Sequence, residues 1–211
     1  MAFVSPQLFP FRSAPDAATH SAPRPTSHPG TMLIRSAQPA DAPSVLACAR
    51  EMFSTADFTL TSKDEFSMTL EQETAFLSAL ADHPRQTFLI AIDQATHDEH
   101  GPLVIGMMSM LQNTAKRKLR HSINLGMGIR TAYRGKGVGD ALMTAGMAWA
   151  RAHPDLHIVT LEVYAANTPG LALYRRHGFQ THGVVPGGLI HDDHTEWDQI
   201  LMHCRVDRPG L

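Results

Sequence analysis

The sequence predicts a mixed α/β fold, with an antiparallel run of strands, then one parallel βαβ unit, and helices on both faces of the sheet. Three observations carry this. Apolar strand-like runs follow one another at 87–92, 103–111 and 123–129, joined by short polar connections. A helical repeat of Val138, Ala141, Leu142, Ala145, Ala148, Trp149 and Ala152 then separates the last of these from a further strand, 157–163. Strand, helix, parallel strand in one sheet implies a right-handed crossover. Between the first strand of that unit and its helix lies Arg134-Gly135-Lys136-Gly137-Val138-Gly139.

A chain of 211 residues is long enough for one well-buried domain, or one domain and a tail. A hydrophobic content of 43% and a net charge of −2 fit a globular protein and give no basic surface for nucleic acid or anionic membrane. No apolar run approaches the ~20 residues of a membrane span. The thirteen histidines lack metal-ligand spacing, so no metal site is expected. Two cysteines, Cys48 and Cys204, make no disulfide framework, and a cytoplasmic location is expected.

Residues 1–31 stand apart. Pro6, Pro10, Pro15, Pro23, Pro25 and Pro29 break any helix, and small polar residues fill the gaps, so a disordered tail is expected. Prolines interrupt the apolar stretch 3–11 that a secretory signal would need. Arg12 and Arg24 outnumber Asp16, as in a transit peptide, but the same prolines weaken that reading. The folded domain is expected over 32–206. It opens on a short strand, 32–35, and a turn in which Asp41 is a plausible N-cap with Pro43 just inside the helix. That helix runs to about Phe53, with Val45, Leu46, Ala49 and Met52 on one face. Residues 53–69 lack periodicity, and a second helix is expected over 70–80.

The strand 87–92 is followed by a polar turn, 93–101, then by the methionine-rich strand 103–111, whose methionines suit a core. Residues 115–120 form a basic turn before the strand 123–129. After the strand 157–163, Pro169 starts a short helix and Gly178 ends it at a left-handed position. A strand 180–185, a turn Pro186-Gly187-Gly188 and a last strand 197–205 complete the chain.

The glycine-rich junction carries the chemistry. A helix N-terminus leaves N–H groups unpaired and suits a phosphate, and glycine lets the backbone approach closely. Arg134 and Lys136 add positive charge. The glycines fall as G-x-G-x-G, which fits neither the dinucleotide fingerprint nor the P-loop.

Arg134, Gly137 and Gly139 instead match an Arg-x-x-Gly-x-Gly/Ala loop. Downstream, Leu161-Glu162-Val163, Asn167, Leu173-Tyr174 and Gly178-Phe179 form a second motif. Together they resemble the GCN5-related N-acetyltransferases, in that family's order and separation, within a likeness covering roughly 32–206. The resemblance implies the family's acyl-CoA N-acyltransferase fold and acetyl-CoA as acyl donor. The coenzyme diphosphate would sit on backbone N–H groups of Arg134, Gly135, Lys136, Gly137, Val138, Gly139 and Asp140. The free edge of Met127-Gly128-Ile129 would pair with the pantetheine arm and polarise the thioester carbonyl. Asn167 would hydrogen-bond that arm.

For the chemistry, the resemblance implies Tyr174 as acid to the leaving thiolate and Glu162 as base, directly or through water. Asn124 leaves the strand before the loop without a carboxylate, and His121 is the other titratable group there. The connection 53–69 would border the acceptor, through Phe58, Asp64 and Glu65. Asp198 and Met202 match a terminal D-x-x-x-M pattern of members acting on amino acids or small amines. The acidic cluster Asp192, Asp193 and Glu196 suits a solvated turn better than an amine site. The expected acceptor is a primary amine of a small molecule, amino-acid or polyamine-like. The alternatives are a protein N-terminus or lysine, or a non-catalytic acyl-CoA-binding module. A homodimer is common among such proteins.

Overall fold

The computed structural model describes residues 3–12, 30–55, 58–62, 64–112, 116–191 and 193–207. In chain order these form β1 (Gln7–Pro10), β2 (Thr31–Ser36), α1 (Ala42–Thr55), α2 (Leu70–Ala81), β3 (Thr87–Asp98) and β4 (Gly101–Leu111). There follow β5 (Ser122–Ile129), α3 (Val138–Ala152), β6 (Ile158–Tyr164), α4 (Thr168–Arg176), β7 (Gln180–Ile190) and β8 (Glu196–Arg205). One sheet holds these strands in the order β1-β2-β3-β4-β5-β6-β8-β7. Only β5 and β6 pair in parallel, across the α3 crossover. The meander and the βαβ unit are as the sequence predicts.

The central strands are apolar on both faces because both faces are covered. Leu89, Ala91, Met108 and Met110 join Leu142, Met143 and Met147 of α3 in one core. Phe88, Ile90, Ile92 and Met107 join Val45, Ala49, Met52 and Leu77 of α1 and α2 in the other. A bulge in β4 sets this division. Ala91 pairs Gly106 while Ile92 pairs Val104, so Ile105 is unpaired and the alternation resets. Ile105 and Met108 can thus share the α3 face. Burying each such side chain stabilises the fold by about 2 kcal/mol.

Four expectations need correction. Residues 7–10 are not disordered but form an edge strand on β2, from Gln7↔Ile34 to Pro10↔Thr31. An edge tolerates proline, and Val4, Phe9 and Phe11 give the segment apolar anchors on the α3 core. Asp41 is not the N-cap of α1. It ends a 3₁₀ turn, accepts from the Gln38 N–H at 2.7 Å and pairs both Nη atoms of Arg35 at 2.6 and 2.7 Å. The polar stretch after Asp93 continues β3 to Asp98, because pairing with β4 resumes at His97↔Pro102 after an irregularity. Likewise Pro186-Gly187-Gly188 is a bulge inside β7, and pairing with β8 resumes at Leu189↔Trp197.

Candidate active site

The site begins where two parallel strands part. β5 and β6 pair only over Ser122–Asn124 and Ile158–Thr160. Beyond that β5 stays on β4 through Ile129, and β6 stays on β8 through Tyr164. The edge of Met127, Gly128 and Ile129 that faces β6 is therefore free of strand partners. A cavity of ≈ 630 Å³ fills the opening, lined by these three residues and, among others, Asn167, Leu173 and Tyr174.

At one end the cavity meets the start of α3. Gly137 is the N-cap, at φ +86, a left-handed conformation that glycine alone takes without cost. No side chain caps this end, and among the described residues no acceptor takes the N–H groups of Val138, Gly139 or Asp140. Gly139 lets α3 pack closely, since a Cβ there would lie 2.9 Å from Leu173 Cδ2 and 3.2 Å from Ile129 Cδ1. The result is a cradle of bare amides with helix-dipole character, suited to a phosphate.

The charges around the cradle differ from expectation. Arg134 lines the cavity, its Nε donating to the Ile129 carbonyl at 3.3 Å. Lys136 does not; its Nζ lies 5.0 Å over the Tyr133 ring. Arg12 takes its place, joined to Asp140 at 2.8 Å. Asp140 also accepts from Arg176 at 3.1 Å and meets His177 Nε2 at 3.1 Å. Burial alone would raise its carboxyl, but the hydrogen bonds from His177 and Arg176 and the charge of Arg12 hold it below the usual carboxylate range.

In the middle, Asn167 Oδ1 caps α4 by accepting from the Gly170 N–H at 3.0 Å. Its amide NH₂ has no hydrogen-bond partner among the described residues. Tyr174 is buried against Phe179, and its hydroxyl has no hydrogen-bond partner among the described residues. Burial pushes its phenol up to about 12, so it stays a proton donor at any physiological pH.

The far end was only partly legible. Met52 of α1 reaches across β5, so that a Cβ on Gly128 would meet Met52 Cε at 2.1 Å. Phe58 and Thr59 complete the wall. Behind them Tyr164 and Trp197 pack against Phe58 and each other, with ring centroids 5.7–6.2 Å apart. Tyr164 Oη donates to the Thr59 carbonyl at 3.2 Å. Glu162 shares the Tyr164 face of β6, opposite the buried Leu161 and Val163. It does not line the cavity, and its carboxylate accepts from Gln199 Nε2 at 2.6 Å.

Other named residues lie elsewhere. Asp64 and Glu65 do not line the cavity, and Glu65 accepts from the Ser62 N–H. Asp198 ties down the β7 bulge through the Gly187 N–H at 3.0 Å, and Met202 is wholly buried. His121 sits beside His157, outside the cavity. Asp193 is bound by Thr195 and Glu196 is exposed, while Asp192 lies outside the described residues.

A core sheet with one splayed parallel pair and a bare helix start at the mouth defines a class. The chain belongs to the Acetyltransferase (GNAT) family, which matches residues 50–179. The family is one of acetyltransferases. It is similar to the mycothiol acetyltransferase of Corynebacterium glutamicum, 43% identical over 53 residues, which is 25% of this chain and 18% of that one. This chain thus spans under a fifth of the curated relative it matches. The acetyltransferase of the GNAT family from Streptococcus pneumoniae has a TM-score of 0.75 and 26% identity, over 83% of this chain and 99% of that one. The yncA protein of Salmonella typhimurium, solved with its cofactor acetyl-CoA, has a TM-score of 0.70 and 18% identity, over 85% and 96%.

Proposed function

We propose that the chain moves an acetyl group from acetyl-CoA to a primary amine of a small molecule. The carrying observation is one cavity that joins bare amides at α3, the free edge of β5 and the unpartnered Tyr174 hydroxyl. The amides from Gly137 to Asp140 hold the diphosphate. Arg134, Gly135 and the Lys136 backbone shape that loop, and Asn167 NH₂ binds the pantetheine arm. The unit responsible runs over 32–206, with β1 as an addition to it.

The β5 amides beside Met127, Gly128 and Ile129 stabilise the oxyanion that forms when the amine attacks the thioester carbonyl. The C–N bond forms, the C–S bond breaks, and the electron pair leaves on sulfur. Tyr174 donates a proton towards that sulfur. Glu162, beside Tyr164 on the same face of β6, takes one proton of the substrate ammonium through water before attack, and the proton shed from nitrogen as the amide forms restores the Tyr174 phenol. Phe58, held from behind by Tyr164 and Trp197, narrows the acceptor end and favours a small amine over a folded protein surface. The buried free thiols Cys48 and Cys204 support a reducing, cytoplasmic setting.

A panel of amino acids, polyamines and N-terminal peptides, read by thiol release and by mass, tests this. Acetylation confined to small amines is expected. Acetylation of peptides alone moves the acceptor class to proteins, and tight acetyl-CoA binding without transfer to any amine makes the chain a binding module. Glu162→Gln should slow transfer most near neutral pH, with the deficit closing in alkali, where the amine supplies its own free base. A deficit independent of pH removes the base role.

A further inference from the structure

Arg12 belongs to the stretch that the sequence assigns to a tail, yet the fold holds it on the phosphate cradle. Its N–H donates to the Lys136 carbonyl at 3.0 Å. Its stem crosses Gly137 so closely that a Cβ there would lie 3.0 Å from Arg12 Cγ and 3.3 Å from Cδ. Its Nη1 reaches Asp140 at 2.8 Å. The segment delivering it is anchored at several points. β1 pairs with β2 over four residues, and the Phe11 N–H donates to the Gly30 carbonyl at 3.1 Å. The Phe11 ring lies 6.0 Å from Tyr133.

A purely structural ion pair explains this poorly. The Arg12 side chain is 61% exposed, and an ion pair so open to water adds little to folding. Asp140 is already served by Arg176 and His177. Among the described residues that line the cavity Asp140 is the one carboxylate, against Arg12, Arg134 and Arg176. The lysine of the loop itself has turned away to Tyr133. The cradle therefore carries surplus positive charge, and Arg12 is the guanidinium that lies directly across Gly137.

We infer that Arg12 is a binding residue for the diphosphate of acetyl-CoA, so that the N-terminal strand segment 3–12 is part of the donor site. This rests on the reading that the amides after Gly137 hold that diphosphate. The guanidinium has N–H donors to spare beyond Asp140 and presents them as a fork that matches phosphate oxygens. If it swings from Asp140 to phosphate, Arg176 and His177 keep that carboxylate compensated.

The test titrates the full chain with acetyl-CoA, 3′-dephospho-acetyl-CoA and S-acetylpantetheine, in wild type, Arg12→Met, Arg12→Lys and Gly137→Glu. Methionine keeps an apolar stem over Gly137. Arg12→Met should weaken both diphosphate ligands about tenfold and leave S-acetylpantetheine unchanged, with lysine restoring part of the loss. Wild-type affinity in Arg12→Met alongside lost binding in Gly137→Glu overturns the inference and spares the cradle. Equal weakening for all three ligands marks a damaged fold and overturns it. Weakening confined to the ligand with a 3′-phosphate overturns the diphosphate assignment. Normal binding by Gly137→Glu removes the cradle reading, and the inference falls with it.

Discussion

The two ends of the cavity are built on different principles. At the proposed donor end the cavity presents main chain: the amides after Gly137 and the edge of Met127, Gly128 and Ile129. At the proposed acceptor end it presents side chains, those of Met52, Phe58 and Thr59, backed by Tyr164 and Trp197. A main-chain site demands particular φ angles and missing Cβ atoms at set positions. Its donor half is therefore rigid in sequence as well as in space. A side-chain wall demands only shape and polarity, and it draws on α1, the connection after it, β6 and β8. A main-chain site thus constrains the sequence more tightly than a side-chain wall does.

If this contrast holds, the largest effect comes from the donor end. Gly137→Glu puts a Cβ at φ +86 against the Arg12 stem and an anion in the cradle. Acetyl-CoA affinity by calorimetry should fall at least about a hundredfold, roughly 3 kcal/mol, with the fold retained. Next is the centre. Tyr174→Phe should keep acetyl-CoA binding and lower kcat about a hundredfold. Because burial holds this phenol up near 12, the wild-type kcat should show no fall assignable to Tyr174 ionisation below about pH 11. An unchanged kcat in the variant removes the acid role. The smallest effect comes from the acceptor end. Phe58→Ala should raise the acceptor KM roughly fivefold, leaving acetyl-CoA affinity unmoved, since it loses one aromatic contact and no backbone feature. Loss of acetyl-CoA affinity there would dissolve the contrast.

The same contrast explains what could be read in the sequence. Gly137, Gly139, Asn167 and Tyr174 sit in two contiguous motifs, and the structure brings all of them to one cavity. The strands 87–92 and 103–111 were visible as apolar runs because both faces are buried. Arg12 was hidden for the opposite reason. It reaches the cradle through pairing of β1 with a strand some twenty residues away, and local composition is dominated by proline. The β3 extension and the β7 bulge were hidden because exposed strands carry polar residues and glycines that resemble turns. Lys136 shows the limit of charge counting, as a cation beside a phosphate loop can be taken up by a neighbouring ring instead.

The bare amides at the start of α3 carry the proposed function. Amide chemical shifts of residues 137–140, followed as acetyl-CoA is added, test it most directly. Saturable shifts at these positions, much larger than those at exposed amides of α2, are the predicted result. Binding of acetyl-CoA that leaves the amides of Val138, Gly139 and Asp140 unmoved would contradict it.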